Sequence, residues 1–204
     1  MRQHLRTLQE KLAGTTLPGM EELINVAKPY KELRDLLHVA ADEARSTCCW
    51  LVGSTRSGKM TLLRKVLHDS GVQWKVVTLT PEQCFTPNGS QTSVAGIASL
   101  YDQIFDGGES QYLTTSQKLD RILATIEAPN EQPLLLHLQR FTRLDRDQPK
   151  LIYALLDAFE RSLGHPSCIV ATDVDVVYLF QRSLAELFSS YMYAYRKGRH
   201  IVSI

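Results

Sequence analysis

Gly53-Ser54-Thr55-Arg56-Ser57-Gly58-Lys59-Met60-Thr61 stands directly after the apolar run Cys48-Cys49-Trp50-Leu51-Val52 and directly before Leu62-Leu63-Arg64-Lys65-Val66-Leu67. Glycines on both sides of a four-residue spacer let the backbone curl with its N–H groups facing inward. The lysine reaches the outer phosphates of a nucleotide, and the helix behind it directs its positive end at them. The run before the loop reads as a buried strand and the run after it as an amphipathic helix, the setting such a loop requires. Residues 53–61 are therefore read as a nucleotide loop, with ATP as the candidate ligand. A glycine turn followed by a surface lysine is the bland alternative.

The pattern repeats outward from this point. Short continuous apolar runs at 48–52, 75–80, 134–138, 167–171 and 200–204 suit strands buried on both faces of a parallel sheet. Helical patterns separate them at 61–68, 94–105, 151–159 and 176–195, with Leu119, Ile122, Leu123 and Ile126 on one face of another. Strands alternating with helices imply right-handed crossovers, hence a three-layer α/β fold around a five-stranded parallel sheet. Upstream, residues 2–12 read as a short amphipathic helix and 30–45 as a second. Residues 81–93 and 107–108 read as loops, the first of them irregular. The expected organisation is a helical extension over 1–29 and one nucleotide-binding domain over 30–204.

Composition narrows the function classes. With 204 residues, 44% of them hydrophobic, one sizeable core is expected. Charge is nearly balanced, 23 basic against 22 acidic residues. That argues against a freestanding electrostatic DNA binder and leaves nucleic-acid contact as part of a larger assembly. No apolar run approaches a membrane span, and the N-terminal Met1–Leu12 stretch has no apolar core of a secretory signal. Cys48, Cys49, Cys84 and Cys168 lack metal-site spacing and read as reduced thiols of a cytosolic or nuclear protein.

The loop lacks its usual chemical company. The position after the lysine normally carries a hydroxyl for Mg²⁺, a hard ion that takes oxygen ligands. Here it is Met60, whose thioether is soft. Thr61 follows, but one residue turns a helix by about 100°, so its hydroxyl points elsewhere. A central strand should then end in two acids, one for the metal shell and one to activate water. The third run instead reads Leu134-Leu135-Leu136-His137-Leu138-Gln139-Arg140-Phe141. Glutamine is neutral and arginine accepts no proton. Arg140 would also bring positive charge where a cation should sit. Asp145 and Asp147 lie beyond the strand and read as the start of the next helix, whose first turn holds Pro149. The expectation is weak or absent magnesium, no catalytic residue, and ATP binding without turnover.

The stretch Tyr30-Lys31-Glu32-Leu33-Arg34-Asp35-Leu36-Leu37 followed by this loop resembles the fourth-subunit family of the origin recognition complex, initiator proteins of the AAA+ class. The likeness continues through 97–105, 134–141, 151–159 and Ile169-Val170-Ala171-Thr172-Asp173-Val174-Asp175. The resemblance implies a RecA-like AAA+ domain acting in DNA replication initiation. Its partners would be the other complex subunits and DNA within the complex, with no membrane, and its location the nucleus. It further implies Gly53 to Lys59 as the nucleotide loop, Thr172 as the first sensor, and an arginine offered to a neighbour's nucleotide. Arg182, Arg196 and Arg199 are the candidates for that finger, Arg196 fitting if the helix before it is long, and a surface arginine being the alternative for each. The helical lid and winged-helix domain that follow the last strand in this family have no counterpart in the residues up to Ile204. Met60, Gln139 and Arg140 depart from the family pattern.

Two smaller features remain. His137, inside an apolar strand, reads as a core histidine rather than a ligand. Tyr191, Tyr193 and Tyr195 with Arg196, Lys197 and Arg199 read either as a partner or nucleic-acid contact or as a helix end with cations suited to its dipole. Three functions stay open on the sequence: a hydrolysis-deficient complex subunit, an active P-loop or STAND-type switch, and a scaffold that binds no nucleotide.

Overall fold

Each apolar run that is too short for a helix and flanked by amphipathic stretches becomes a strand. The computed structural model describes residues 26–42, 46–53, 57–85, 92–105, 110–128, 132–162, 167–172 and 199–203. In chain order the elements are α1 (Ala27–Asp42), β1 (Thr47–Val52), α2 (Lys59–Asp69), β2 (Lys75–Leu79), α3 (Ser93–Phe105), α4 (Thr115–Glu127), β3 (Leu134–Leu138), α5 (Phe141–Asp147), α6 (Pro149–Arg161), β4 (Ser167–Thr172) and β5 (Arg199–Ser203), with 3₁₀ turns at Pro81–Cys84 and Ser110–Tyr112. The sheet runs in the order β2-β3-β4-β1-β5, with every neighbouring pair parallel.

Both sheet faces are covered, as continuous apolar strands require. Leu134, Leu136 and Leu138 point with Trp50, Val77 and Leu79 into a core built with α3, α4, α5 and α6. Leu135 points the other way, with Cys49, Leu51 and Val202, into a core built with α1 and α2. Period-two alternation along β3 thus feeds two separate cores. α3 lies close on the turn that follows β2 because Gly96 faces it: a Cβ there would meet Cys84 Sγ at 2.8 Å. At the exposed edge of β2, the Gln103 side chain accepts from the Thr78 N–H at 2.8 Å and donates to the Thr78 carbonyl at 2.9 Å. One side chain replaces a missing strand there and blunts the edge.

Three expectations are corrected in detail. The helix expected from residue 30 begins at Ala27. The stretch 81–93 opens with an ordered 3₁₀ turn, capped by Thr80 and Gln83 in a reciprocal box. Asp145 and Asp147 do not start the helix of Pro149; they belong to α5, and Pro149 begins α6. Periodicity missed α5 because seven residues span barely two turns. The helices expected at 2–12 and 176–195 lie outside the described residues. Cys49 and Cys84 are buried free thiols and Cys48 is partly buried. Burial, with Asp147 and Glu82 nearby, pushes the Cys84 thiol up to about 11, so it stays protonated at neutral pH.

α1 is tied to α2 by Tyr30, whose hydroxyl donates to Asp69 Oδ2 at 2.7 Å. Partial burial raises the Asp69 carboxyl, but hydrogen bonds from Tyr30, His68 and Lys65 outweigh it and hold the group at about 2. A depressed carboxyl stabilises the fold above its unfolded value of about 4, and that stability is lost as pH falls through the folded value. We expect Tyr30→Phe to cost about 1 kcal/mol at pH 7, given the water around this cluster. In acid melts the gap between wild type and Asp69→Asn should close between about pH 4 and pH 2. A gap unchanged down to about pH 2 contradicts this account.

Candidate nucleotide-binding site

All five strands are parallel, so their C-terminal ends share one edge of the sheet, the edge where ligands bind in open α/β sheets. β1 delivers Gly53 to that edge and α2 departs from it. Gly58 takes φ 84°, a left-handed conformation open to glycine, and its carbonyl accepts the first helical bond from Leu62 at 2.9 Å. No side chain caps α2, which leaves its first N–H groups to an external acceptor. Lys59 is 5% exposed, and its Nζ donates to the Gly53 carbonyl at 3.1 Å and to Ser57 Oγ at 3.4 Å. The ammonium therefore lies across the mouth of the loop, held by oxygens that a phosphate can replace. Ser54, Thr55 and Arg56 lie outside the described residues. Met60 and Thr61 are half-buried on the first turn of α2.

β4 lies between the loop strand β1 and β3. Thr172 ends β4 in register with Leu51, so the sensor position sits beside the loop strand at the correct edge. β3 reaches the same edge one strand further on and presents Gln139 and Arg140 there. Gln139 donates its backbone N–H to the Leu79 carbonyl at 3.0 Å. Arg140, at φ 51°, is the one non-glycine residue with positive φ among the described residues. Such a backbone costs roughly 1–2 kcal/mol. Phe141 explains why it persists: it is 1% exposed and meets the Trp50 ring edge-on at 4.7 Å, pinning the turn under the sheet.

The Arg140 guanidinium does not take the place of the missing cation. It forms an ion pair with Glu82, from the turn after β2, with Arg143 4.0 Å from the same oxygen. β2 is the far edge of the sheet, three positions from β1, so the charge is drawn away from the loop. Glu82 escaped the sequence reading because it stands 58 residues from Arg140; only the β2–β3 pairing unites them. The donor set does not fit magnesium: a thioether, a neutral amide and a guanidinium replace a hydroxyl and two carboxylates. No group of three or more His, Cys, Asp or Glu suited to a metal occurs among the described residues.

Other candidates fall elsewhere. His137 is 1% exposed within β3, between Thr78 and Val170 in register, and is a core residue. Arg199 opens β5 opposite Cys48, at the sheet edge away from the loop. Arg182 and Arg196, with Tyr191, Tyr193, Tyr195 and Lys197, lie outside the described residues. No helix among the described residues is long and apolar enough to cross a membrane.

No protein-family model and no curated protein matches the chain. Solved structures do. The ORC2 protein of Aeropyrum pernix, in its ADPNP–ADP complexes, superposes with a TM-score of 0.62 at 12% identity over 89% of this chain and 48% of that one. A chain of Drosophila ORC bound to DNA gives 0.58 at 12% identity, covering 97% of this chain and 54% of that one. Cdc6p of Pyrobaculum aerophilum gives 0.58 at 13% identity, covering 92% and 46%. The chain thus resembles these ORC and Cdc6 structures in fold, and it spans about half of their length.

Proposed function

We propose that the protein is a hydrolysis-deficient AAA+ subunit of an origin-recognition-like complex, closest in kind to the fourth subunit, acting in the nucleus in replication initiation. The observation that carries this reading is a left-handed Gly58 and a buried Lys59 at the same sheet edge as a β3 end where Gln139 and Arg140 stand in place of the acids, with Arg140 bound to Glu82. The fold supports the initiator class. Solved relatives in fold include ORC bound to DNA, which supports a ring with other subunits and DNA as partners. In such a ring Thr172 would sense the nucleotide and Arg196 would reach the neighbour's. An active switch would need an acid that β3 does not offer. Affinity capture of the full chain, followed by identification of what co-purifies, tests the reading. Recovery of initiator subunits is expected; a chain that captures none of them under conditions preserving other complexes overturns it.

Nucleotide binding should depend little on magnesium. Lys59 and the loop amides carry the affinity, and a charge-assisted contact to phosphate contributes roughly 1.5–3 kcal/mol. Calorimetry with ATP is expected to give the same affinity within about threefold with magnesium or with a chelator, and to lose about tenfold or more in Lys59→Ala. Absence of heat in both buffers points instead to a scaffold without nucleotide.

A further inference from the structure

The cations of the β3–α6 connection include Arg140 of the site just described and extend beyond it. Arg140, Arg143 and Arg146 recur every third residue, and Lys150 follows at the start of α6. Residues three apart on a helix are neighbours about 5–6 Å from each other, so Arg143 and Arg146 adjoin on α5, and Arg140 precedes them at its N-cap. The row is open to water: the arginine side chains are 51%, 42% and 70% exposed, and Lys150 is exposed. Beneath it Phe141 and Leu144 are buried at 1% and 0%, so the helix is a rigid mount. Three acids accompany it. Asp145 is turned inward at 3% exposure, Asp147 holds Arg143 and Arg146 through their Nε atoms, and Glu82 holds Arg140. Asp147 thereby joins the two guanidiniums, and an outer nitrogen of Arg143 also lies 4.0 Å from Glu82. Exposed ion pairs of this kind are worth about 0.2–1 kcal/mol, weak enough for a phosphate to compete.

We propose that this row is a sequence-independent contact for the backbone of duplex DNA. Arginine forks match phosphate oxygens two at a time. The arginines offer no open ring for stacking bases: Phe141 is buried and Phe85 lies under the Arg143 guanidinium at 5.8 Å, while Tyr153, three residues past Lys150 on α6, is 38% exposed. Guanidiniums outnumbering open rings favour duplex backbone over single strands. The inference rests on the DNA-facing part of the proposed function and names the residues that serve it.

The test uses the full chain and a labelled duplex of about 20 base pairs, with anisotropy read from about 50 mM salt upward. Arg143→Gln, Arg146→Gln and Lys150→Gln together spare the Arg140 turn. The triple variant should bind at least about tenfold more weakly at the lowest salt, its salt slope shallower by about one per cation removed. A charge-matched control, Lys28→Gln, Lys31→Gln and Arg64→Gln on α1 and α2, should keep nearly the wild-type slope; melting curves show that both variants fold. Equal losses in the two variants, an unchanged slope in the first, no wild-type binding at about 50 mM salt, or preference for polyglutamate over DNA each overturn the proposal. A chain that still captures initiator subunits while its DNA affinity ignores these cations sinks this inference alone.

Discussion

Purified protein mixed with ATP and magnesium is expected to release phosphate no faster than buffer alone. Enzymes of this class stabilise the transferring phosphoryl group with a metal and orient water with an acid. At β3 these tasks fall to Gln139 and Arg140, and at α2 to Met60; none can do them. Met60, Gln139 and Arg140 stand at all three positions proposed for these tasks, so the expected effect spans orders of magnitude. A rate above background that disappears in Lys59→Ala would sink the idea. Restoring Met60→Thr, Gln139→Asp and Arg140→Glu should bring back magnesium-dependent binding without full turnover, because a neighbour's arginine is still missing. The ion pair adds a condition: a glutamate at 140 would face Glu82, so Glu82→Gln belongs in the same variant. Without it, like charges side by side raise one carboxyl's pKa and weaken metal binding.

The largest stability effect is expected at Phe141. Its ring is 1% exposed in the core shared by β1, β3 and α3 to α6, edge-on to Trp50 at 4.7 Å. Truncation to alanine leaves a cavity and should cost about 3–5 kcal/mol. For a domain of this size that is a fall in melting temperature of about 10–15 °C. Phe141→Leu should recover more than half of it by refilling most of the volume. A fall of only about 2 °C for Phe141→Ala would show that the turn at Arg140 is held by something else.

Much of the architecture was legible because it depends on short-range patterns. Continuous apolar runs at 48–52, 75–80, 134–138 and 167–171 coincide with β1 to β4 within a residue or so, and the run at 200–204 with β5. Such runs can be strands buried on both faces, and the helices between them show their period in a dozen residues. α5 was not legible, since it is too short to show a period and its two carboxylates resemble a helix start.

The sequence by itself determined the loop, the absence of metal ligands after Lys59 and at 139–140, and the three-layer class. Each follows from residue type at a spacing the backbone carries along its own length. Tertiary structure alone decided the strand order, which sets β4 between the loop strand and β3. It also decided where the Arg140 charge goes. Sequence puts an arginine at the acid position; the β2–β3 register brings Glu82 to it and turns it from the phosphate loop. Lys59 reads in one dimension as a phosphate contact or a surface lysine; in three it is 5% exposed and donates to Gly53 and Ser57. The physical reason is plainest at Arg140, 58 residues from Glu82. A charge takes its partner from whatever the fold brings within about 4 Å, and sequence separation carries no information about that distance.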